Sequence, residues 1–504
     1  MLLRGRTVLG LMAGAAVVAC ALTIGAMSMT KEGSLRLFSG AEAEAGHAPS
    51  GAPPAPNTGE GRRLSPTELA KLNKALELIE NKSLQPMNRD RLLDGAIKGM
   101  VAAIGDPYSD YIPSKEADKY TDKLRGTFSG IGAKLDQDGD EFVVTDLMKD
   151  SPAERAGLQT KDVLVSVNGQ SLRGLSLGEA IAKVRGPKGT KAKLIVRRPG
   201  ADGLLHLELV REQLDYKTVG SELGPDGVGK LWISSFTFDT ADRVSQELAK
   251  LEAGGMKALV LDVRHNPGGV LTSVLDVASL FVPKGKTVVV YASADGVQQP
   301  ETAKGDPGAG KPYPIVVLID KGTASAAEIL AGALRQTIGA TLVGETTYGK
   351  GTVQISYEEL GDGSLMKLTV SKWLLPDGTS IDRQGVKPDA AVAQPDYFAA
   401  TRLPRGQDLK PDQTGEDVRN LQLLLAGAGC PADREDGYYS EGTRDAVARF
   451  QRAAGLPETG IADDATAERL EAASFEAVRD PDHDSQWKEA QARALQAAAA
   501  ASGS

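Results

Sequence analysis

Residues 320–354 read DKGTASAAEILAGALRQTIGATLVGETTYGKGTVQ, and the fold is read outward from them. Just before them stands Ile315–Ile319, a short apolar and mostly β-branched run with the character of a buried strand. After Lys321-Gly322-Thr323-Ala324 a helical pattern runs from Ser325 to Gln336, so the junction is strand, turn, helix, with Ser325 at its mouth. The first helical turn carries N–H groups without intrahelical partners and the positive end of the macrodipole. A serine there sits beside donors able to hold a developing oxyanion. Serine is also a common N-cap, and that reading stands beside the first.

Thr346–Gln354 adds a second chemical group. Lys350 is bracketed by Gly349 and Gly351, and a buried, neutral lysine can deprotonate a serine. Desolvation would have to bring its pKa from about 10.4 to near neutrality, a penalty of roughly 4 kcal/mol on the charged form. If the segment is extended, Gln354 falls on the same strand face as Lys350 and can hold the amine by a hydrogen bond.

Upstream, Gly229–Phe236 reads as a strand, Thr240–Ala253 as an amphipathic helix and Ala258–Val263 as an apolar strand interrupted only by Asp262. Strand, helix, strand in this order argues for α/β topology with helices covering a sheet. Asn266-Pro267-Gly268-Gly269 then closes the second strand.

Three ordered stretches, LVLDVRHNPGG (259–269), KGTASAAEILAGAL (321–334) and GETTYGKGTVQ (344–354), resemble the carboxy-terminal processing proteases, also called tail-specific proteases. The resemblance spans Leu64 to Pro395. It implies that Ser325 is the nucleophile, Lys350 the general base and Gln354 the residue that orients the lysine. It also implies an oxyanion hole built from Gly268 or Gly269 together with the N–H of Ala326; an ordinary glycine turn is the alternative. With Lys350 as the matched base, His265 is expected to be a bystander or a neighbour of the site. The scheme calls for no cofactor.

At 504 residues the chain should hold roughly three domains. A net charge of −9 leaves no basic footprint for nucleic acid. The four histidines are scattered, with neither HExxH nor Cys/His ligand spacing, so no metal site of the common kinds is expected. Of the two cysteines, Cys20 lies in the amino-terminal apolar run, which leaves Cys430 alone in the rest of the chain.

Residues 1–28 read as a signal anchor or signal peptide. Arg4 and Arg6 precede the uncharged run Val8–Met27, long enough to cross a bilayer, and the short arginine-bearing side is expected to stay in the cytoplasm. The anchor is favoured, and Val17–Cys20 also resembles a lipoprotein processing site with Cys20 lipidated. Residues 29–63 form a flexible linker and 64–115 a helical region, in which Leu69, Leu72, Leu76 and Ile79 recur at helical spacing.

Residues 116–200 resemble a PDZ domain. Gly130-Ile131-Gly132 would be the carboxylate-binding loop, Asn168-Gly169 a tight turn and Leu177–Arg185 the helix flanking the peptide groove. Such domains add a chain end as a strand to a sheet edge; a domain used only for packing is the plainer alternative. Arg185 stands where related proteases carry an arginine coupling this domain to the active site, against the reading of a merely solvated arginine. The protease core is assigned to 201–400, with Leu365–Leu374 and Ile381–Asp389 fitting the family's carboxy-terminal sheet edge. A linker (401–415) leads to a peptidoglycan-binding-like domain of three small helices (416–473), with Leu421, Leu424, Ala446, Val447, Phe450 and Leu456 as core. The Ala-rich tail, 474–504, is expected to be a frayed helix or disordered, with no chemistry.

The fold class is therefore multidomain α/β: an α/β serine protease core with an inserted PDZ domain, an amino-terminal helical segment and a small all-α carboxy-terminal domain. The leading function is a membrane-anchored serine endopeptidase with its catalytic part in the periplasm or cell envelope. Its expected partners are proteins with exposed carboxy-terminal tails, peptidoglycan, an activating adaptor and a second copy of itself. The alternative is a catalytically silent adaptor, against which Ser325, Lys350 and Gln354 together speak. A cell-wall hydrolase lacks any zinc-ligand or thiol–histidine set.

Overall fold

The computed structural model describes residues 63–85, 87–138, 141–305 and 310–502. They divide into two compact units, the first drawn from residues up to Gly126, Thr218–Ala390 and the last turns of the chain, the second from Thr127–Lys217 and Ala391–Gln496. The Val8–Met27 run, with Cys20, lies outside the described residues; among those described, no helix is long and apolar enough to cross a membrane.

The first unit is built on a six-stranded sheet in the order Val219–Leu223, Val228–Ile233, Ala258–Asp262, Ile315–Ile319, Thr341–Gly344, Ala390–Ala391. The four middle strands run parallel. Ala258–Asp262 and Ile315–Ile319 are buried at every position, which is why they read as unbroken apolar runs rather than alternating ones. Helices Thr240–Ala253, Leu271–Ala278 and Ala326–Ile338 contribute Val244, Leu248, Val274, Ile329 and Leu330 to the same core.

A second sheet holds Asp110–Ile112, Leu365–Leu374, Thr287–Ala292, Gln298–Thr302 and Thr352–Tyr357. Here the expectation that Leu365–Leu374 lies at a sheet edge fails. The strand pairs with three neighbours, Asp110–Ile112, Thr287–Ala292 and Thr352–Tyr357. Its ten residues exceed what any one partner covers, and its first half accepts a strand from far upstream in the chain.

That upstream strand also moves a boundary. Asp110–Ile112 and the helix Ser114–Leu124 belong with the first unit, and the second unit begins at Thr127 instead of 116. Before them come helices Pro66–Lys82, closed by a Ser65/Glu68 capping box, and Arg89–Ala102, capped by Asn88. Pro66–Lys82 buries no residue, and Leu69, Leu72, Leu78 and Ile79 are exposed.

In the second unit, a six-stranded sheet ordered Ala133–Asp138, Glu141–Leu147, Val163–Val167, Lys191–Arg197, Leu204–Val210, with Gln170–Ser171 on Val163–Val167, packs around Phe142, Val144, Leu164 and Leu194. It runs ten residues past the boundary expected at 200, because Leu204–Val210 pairs along Lys191–Arg197. Asn168 and Gly169 both have positive φ, 52° and 77°, as the predicted tight turn requires. The carboxy-terminal helices Glu416–Gly427, Glu441–Ala453 and Asp464–Arg479 bury Leu421, Leu424, Ala446, Val447 and Phe450 as expected, whereas Leu456 is only half-buried.

The tail corrects its expectation. Asp464–Arg479 continues through residue 474, and Ser485–Ser502 is a helix with Ala490 and Ala494 fully buried. Gln486 Nε2 donates to the Val392 carbonyl at 2.9 Å. Alanine's helix propensity is legible in the sequence; that one alanine stripe is covered is not.

Candidate active site

The chain leaves the buried strand Ile315–Ile319 through a turn organised by Asp320. Its carboxylate accepts the N–H groups of Gly322 and His265, at 3.0 and 2.9 Å, and pairs with His265 Nδ1 at 2.8 Å. The Thr323 hydroxyl donates to the Val263 carbonyl, and the Ala324 N–H to that of Asn266, both at 2.9 Å. The serine turn and the Asn266–Gly269 loop are thereby stitched together. His265 belongs to this stitching and does not line the cleft described below; its hydrogen bond to Asp320 raises its pKa.

Ser325 has φ 55° and ψ −117°, a backbone region that costs a non-glycine residue of order 1–3 kcal/mol. What holds it there is Glu328, wholly buried one turn into the helix. Glu328 Oε2 accepts the Ser325 N–H at 2.7 Å and the Lys350 N–H at 2.9 Å. Oε1 accepts the Gly349 N–H at 2.7 Å and the Thr347 hydroxyl at 2.5 Å. One carboxylate thus grips the serine turn and the lysine loop together. Burial raises its pKa against the opposing pull of those donors. Tyr348 N–H to Thr323 O at 3.0 Å adds a second strap, and Trp373 Nε1 donates to the Lys350 carbonyl at 2.9 Å. Gly349 has φ 87°, and a Cβ there would stand 2.8 Å from the Gly385 nitrogen, so only glycine lets this loop pass.

Ser325, Lys350, Gln354, Gly268, Gly269 and Ala326 all line one cleft of about 310 Å³. Burial, then the nearby charge of Lys367, lowers the Lys350 pKa, while Asp106 and Glu328 pull the other way. The amine lies 4.9 Å above the Tyr108 ring and, among the described residues, makes no hydrogen bond. The expected Gln354–Lys350 bond is therefore not formed in this state; such contacts often tighten only with substrate. Lys350 precedes the strand Thr352–Tyr357, whose pairing slips at Val353/Gln354, so simple alternation does not relate the two residues.

Gly268 (φ 98°) passes so close that a Cβ would lie 2.9 Å from both Ala324 O and Ser325 Cβ. Its N–H donates to Asn266 Oδ1 at 2.8 Å. The N–H groups of Gly269 and Ala326 have no acceptor among the described residues.

In the second unit, Ile131 is buried and Gly132 has φ 82°; the N–H groups of both lack acceptors among the described residues. The next strand, Ala133–Asp138, is the free edge of its sheet, and the helix Leu177–Val184 packs beside it. Arg185, at that helix's end, sets its guanidinium 5.1 Å over Phe128 and donates to Tyr216 Oη at 3.1 Å. Neither a metal-ligating cluster nor a disulfide occurs among the described residues.

Sequence reasoning missed Glu328, although Ser325-x-x-Glu328 is a legible capping-box spacing. The stretch Gly105–Tyr120 resembles the family's entry to the next domain, but sequence reasoning gave no site role to Asp106 or Tyr108, nor to Thr369 or Lys367, which strand pairings far apart in the chain bring to the cleft.

A strained serine at a strand-to-helix turn and a half-buried lysine thus share one cleft, an arrangement of the kind a serine-type hydrolase uses. The family model and the sequence relatives agree with that class. The model of peptidase family S41 matches residues 227–392, a PDZ domain 143–198, a peptidoglycan binding domain 414–470 and the amino-terminal domain of the activating protease CtpB 24–116. The carboxy-terminal processing protease CtpB of Bacillus subtilis is 40% identical over 407 residues, covering 79% of this chain and 83% of the relative. CtpA of the same organism is 38% identical over 391 residues, covering 78% and 83%. Among solved structures, the photosystem II D1 C-terminal processing protease aligns at 29% identity with a TM-score of 0.39, covering 64% of this chain and 86% of that one. The chain belongs to peptidase family S41 and is a serine-type carboxy-terminal processing peptidase.

Proposed function

We propose that the chain is an exported endopeptidase that cleaves proteins near their carboxy termini with Ser325 as nucleophile and Lys350 as base. The observation that carries this reading is the Glu328 carboxylate, which binds the Ser325 and Lys350 N–H groups at 2.7 and 2.9 Å and so places both at one cleft. Neutral Lys350 takes the hydroxyl proton as Ser325 Oγ bonds to the scissile carbonyl carbon. The N–H groups of Ala326 and Gly269 receive the oxyanion, with Gly268 providing the close approach. Protonated Lys350 then gives its proton to the leaving amine as the C–N bond breaks, and water hydrolyses the acyl-enzyme. Gln354 orients the lysine.

The free edge Ala133–Asp138, with the Gly130–Gly132 loop at its start, supports selection of substrate tails by strand addition. Arg185, clasped to Phe128 and Tyr216 at the end of the groove helix, is the residue through which tail binding would reach the rest of the chain. The Val8–Met27 run supports a membrane anchor with the remainder in the periplasm or cell envelope, and the carboxy-terminal domain supports contact with peptidoglycan. The exposed leucines of Pro66–Lys82 support self-association.

The test is cleavage of an unstructured reporter ending in a small apolar tail, with a serine-directed covalent probe alongside. Wild type is expected to cut and to be labelled at Ser325, and Ser325→Ala and Lys350→Ala to do neither. A wild-type protein that is folded yet never labelled would leave only the silent adaptor.

A further inference from the structure

Gly105–Tyr111 (GDPYSDY) lies far from the protease motifs in sequence, yet its Tyr108 ring stands 4.9 Å from the Lys350 amine and the charge of its Asp106 acts on that amine. Asp106 Oδ2 accepts the Thr369 hydroxyl at 2.6 Å and the Ser109 hydroxyl at 2.5 Å, and its Oδ1 accepts the Tyr108 N–H at 3.2 Å. The Ser109 oxygen in turn accepts the Thr369 N–H at 3.0 Å. Thr369 stands opposite Gln354 in the strand pairing, and Gln354 Nε2 donates to Thr369 Oγ1 at 3.1 Å and to Thr352 Oγ1 at 2.9 Å.

A hydroxyl has one hydrogen. Thr369 gives its hydrogen to an ionised carboxylate, so toward Gln354 it can only accept. Both hydrogens of the Gln354 amide are consequently spent on the two threonines, and Oε1 is turned away from them. A flipped amide would present its oxygen to Thr369 and would require that hydroxyl to abandon Asp106. A protonated lysine is a donor only, so only the unflipped amide can receive it. Burial works against the Asp106 charge, but the hydrogen bonds from Ser109, Thr369 and Tyr108 outweigh it and hold the pKa below the usual carboxylate value.

We propose that Asp106 is a positioning residue for the serine–lysine site, fixing through Thr369 which way the Gln354 amide faces and, through its own turn, seating the Tyr108 ring beneath the Lys350 amine. The inference rests on the reading of Ser325 and Lys350 given above and adds to it the device that keeps the orienting amide in one of its two states.

The test is a double-mutant cycle in the full-length enzyme with the tailed reporter. Thr369→Val keeps the shape of the side chain and removes the hydroxyl; Thr369→Ser restores the hydroxyl and serves as the second variant where valine disturbs folding. Thr369→Val, Asp106→Asn and Gln354→Ala are each expected to lower kcat about tenfold with KM little changed, the size of one network partner. Thr369→Ser should recover most of the loss. Because Thr369 acts through Gln354, Thr369→Val combined with Gln354→Ala should be no slower than Gln354→Ala alone. Fully multiplicative losses in the double variant, or a Thr369→Val enzyme with wild-type kcat, overturn the proposal. If Gln354→Ala is fully active while Ser325→Ala and Lys350→Ala are dead, the relay falls and the dyad stands. If Ser325→Ala still cuts, the underlying reading falls first and the relay with it.

Discussion

Removing Glu328 should damage stability and chemistry together, because one carboxylate serves both. Glu328→Ala leaves four donors without their acceptor: the N–H groups of Ser325, Gly349 and Lys350 and the Thr347 hydroxyl. An orphaned buried donor costs about 1–3 kcal/mol. Water entering the vacated space recovers part of this, so the lower edge of the sum, about 4 kcal/mol, is the expected loss. For a unit of this size that corresponds to a fall of about 8–16 °C in Tm. The chemical effect comes from the turn. Ser325 sits in a conformation costing of order 1–3 kcal/mol, and once its N–H has no acceptor the turn relaxes and the hydroxyl shifts within the cleft it shares with Lys350. Labelling of Ser325 by a serine probe in the folded fraction should slow at least about a hundredfold, equivalent to roughly 2.7 kcal/mol. Glu328→Gln, which keeps the shape but turns an NH₂ toward two of the donors, should fall between. Unfolding followed by denaturant and by heat, and labelling followed by mass spectrometry below the transition, measure the two halves. An unchanged unfolding midpoint refutes the clamp. Normal labelling in a destabilised variant reduces Glu328 to a purely structural role and refutes the coupling.

Lys367→Met removes the positive charge that helps depress the Lys350 pKa, against Asp106 and Glu328, which raise it. The lysine pKa rises, the neutral base becomes scarcer at a given pH, and the acid limb of kcat/KM should move to higher pH; a limb that stays or moves down contradicts the assignment of the base. Gly268→Ala would drive a Cβ to 2.9 Å from Ala324 O and Ser325 Cβ, so kcat should drop about a hundredfold or more while tail-peptide affinity measured on the same protein is unchanged; an active variant would show that the loop can yield there. Ala490→Asp places an unpaired charge at a fully buried position of the last helix and should cost about 3–5 kcal/mol by denaturant unfolding, whereas an unaffected midpoint would return that segment to the frayed state read from its sequence.

Much of this protein was legible from residues near one another in the chain. An unbroken apolar run is what a strand covered on both faces requires, so Ile315–Ile319 announces its own burial. Asn168-Gly169 announces its turn because few residues tolerate two successive positive φ angles. The positions of Ser325 and Lys350 were likewise readable, each at a break between periodic segments. What the sequence left open was everything decided by distant pairings. Asp106 meets Thr369 across 263 residues, and nothing in GDPYSDY reveals that its strand will join Leu365–Leu374. The Ser114–Leu124 helix was assigned to the neighbouring domain for the same reason: the first unit, to which it belongs, resumes only after the intervening residues 127–217. Local conformational preference acts over a few residues and is written where it acts; the orientation of an amide, the depression of a lysine pKa and the covering of an alanine stripe depend on groups that only the folded chain brings within a few ångströms.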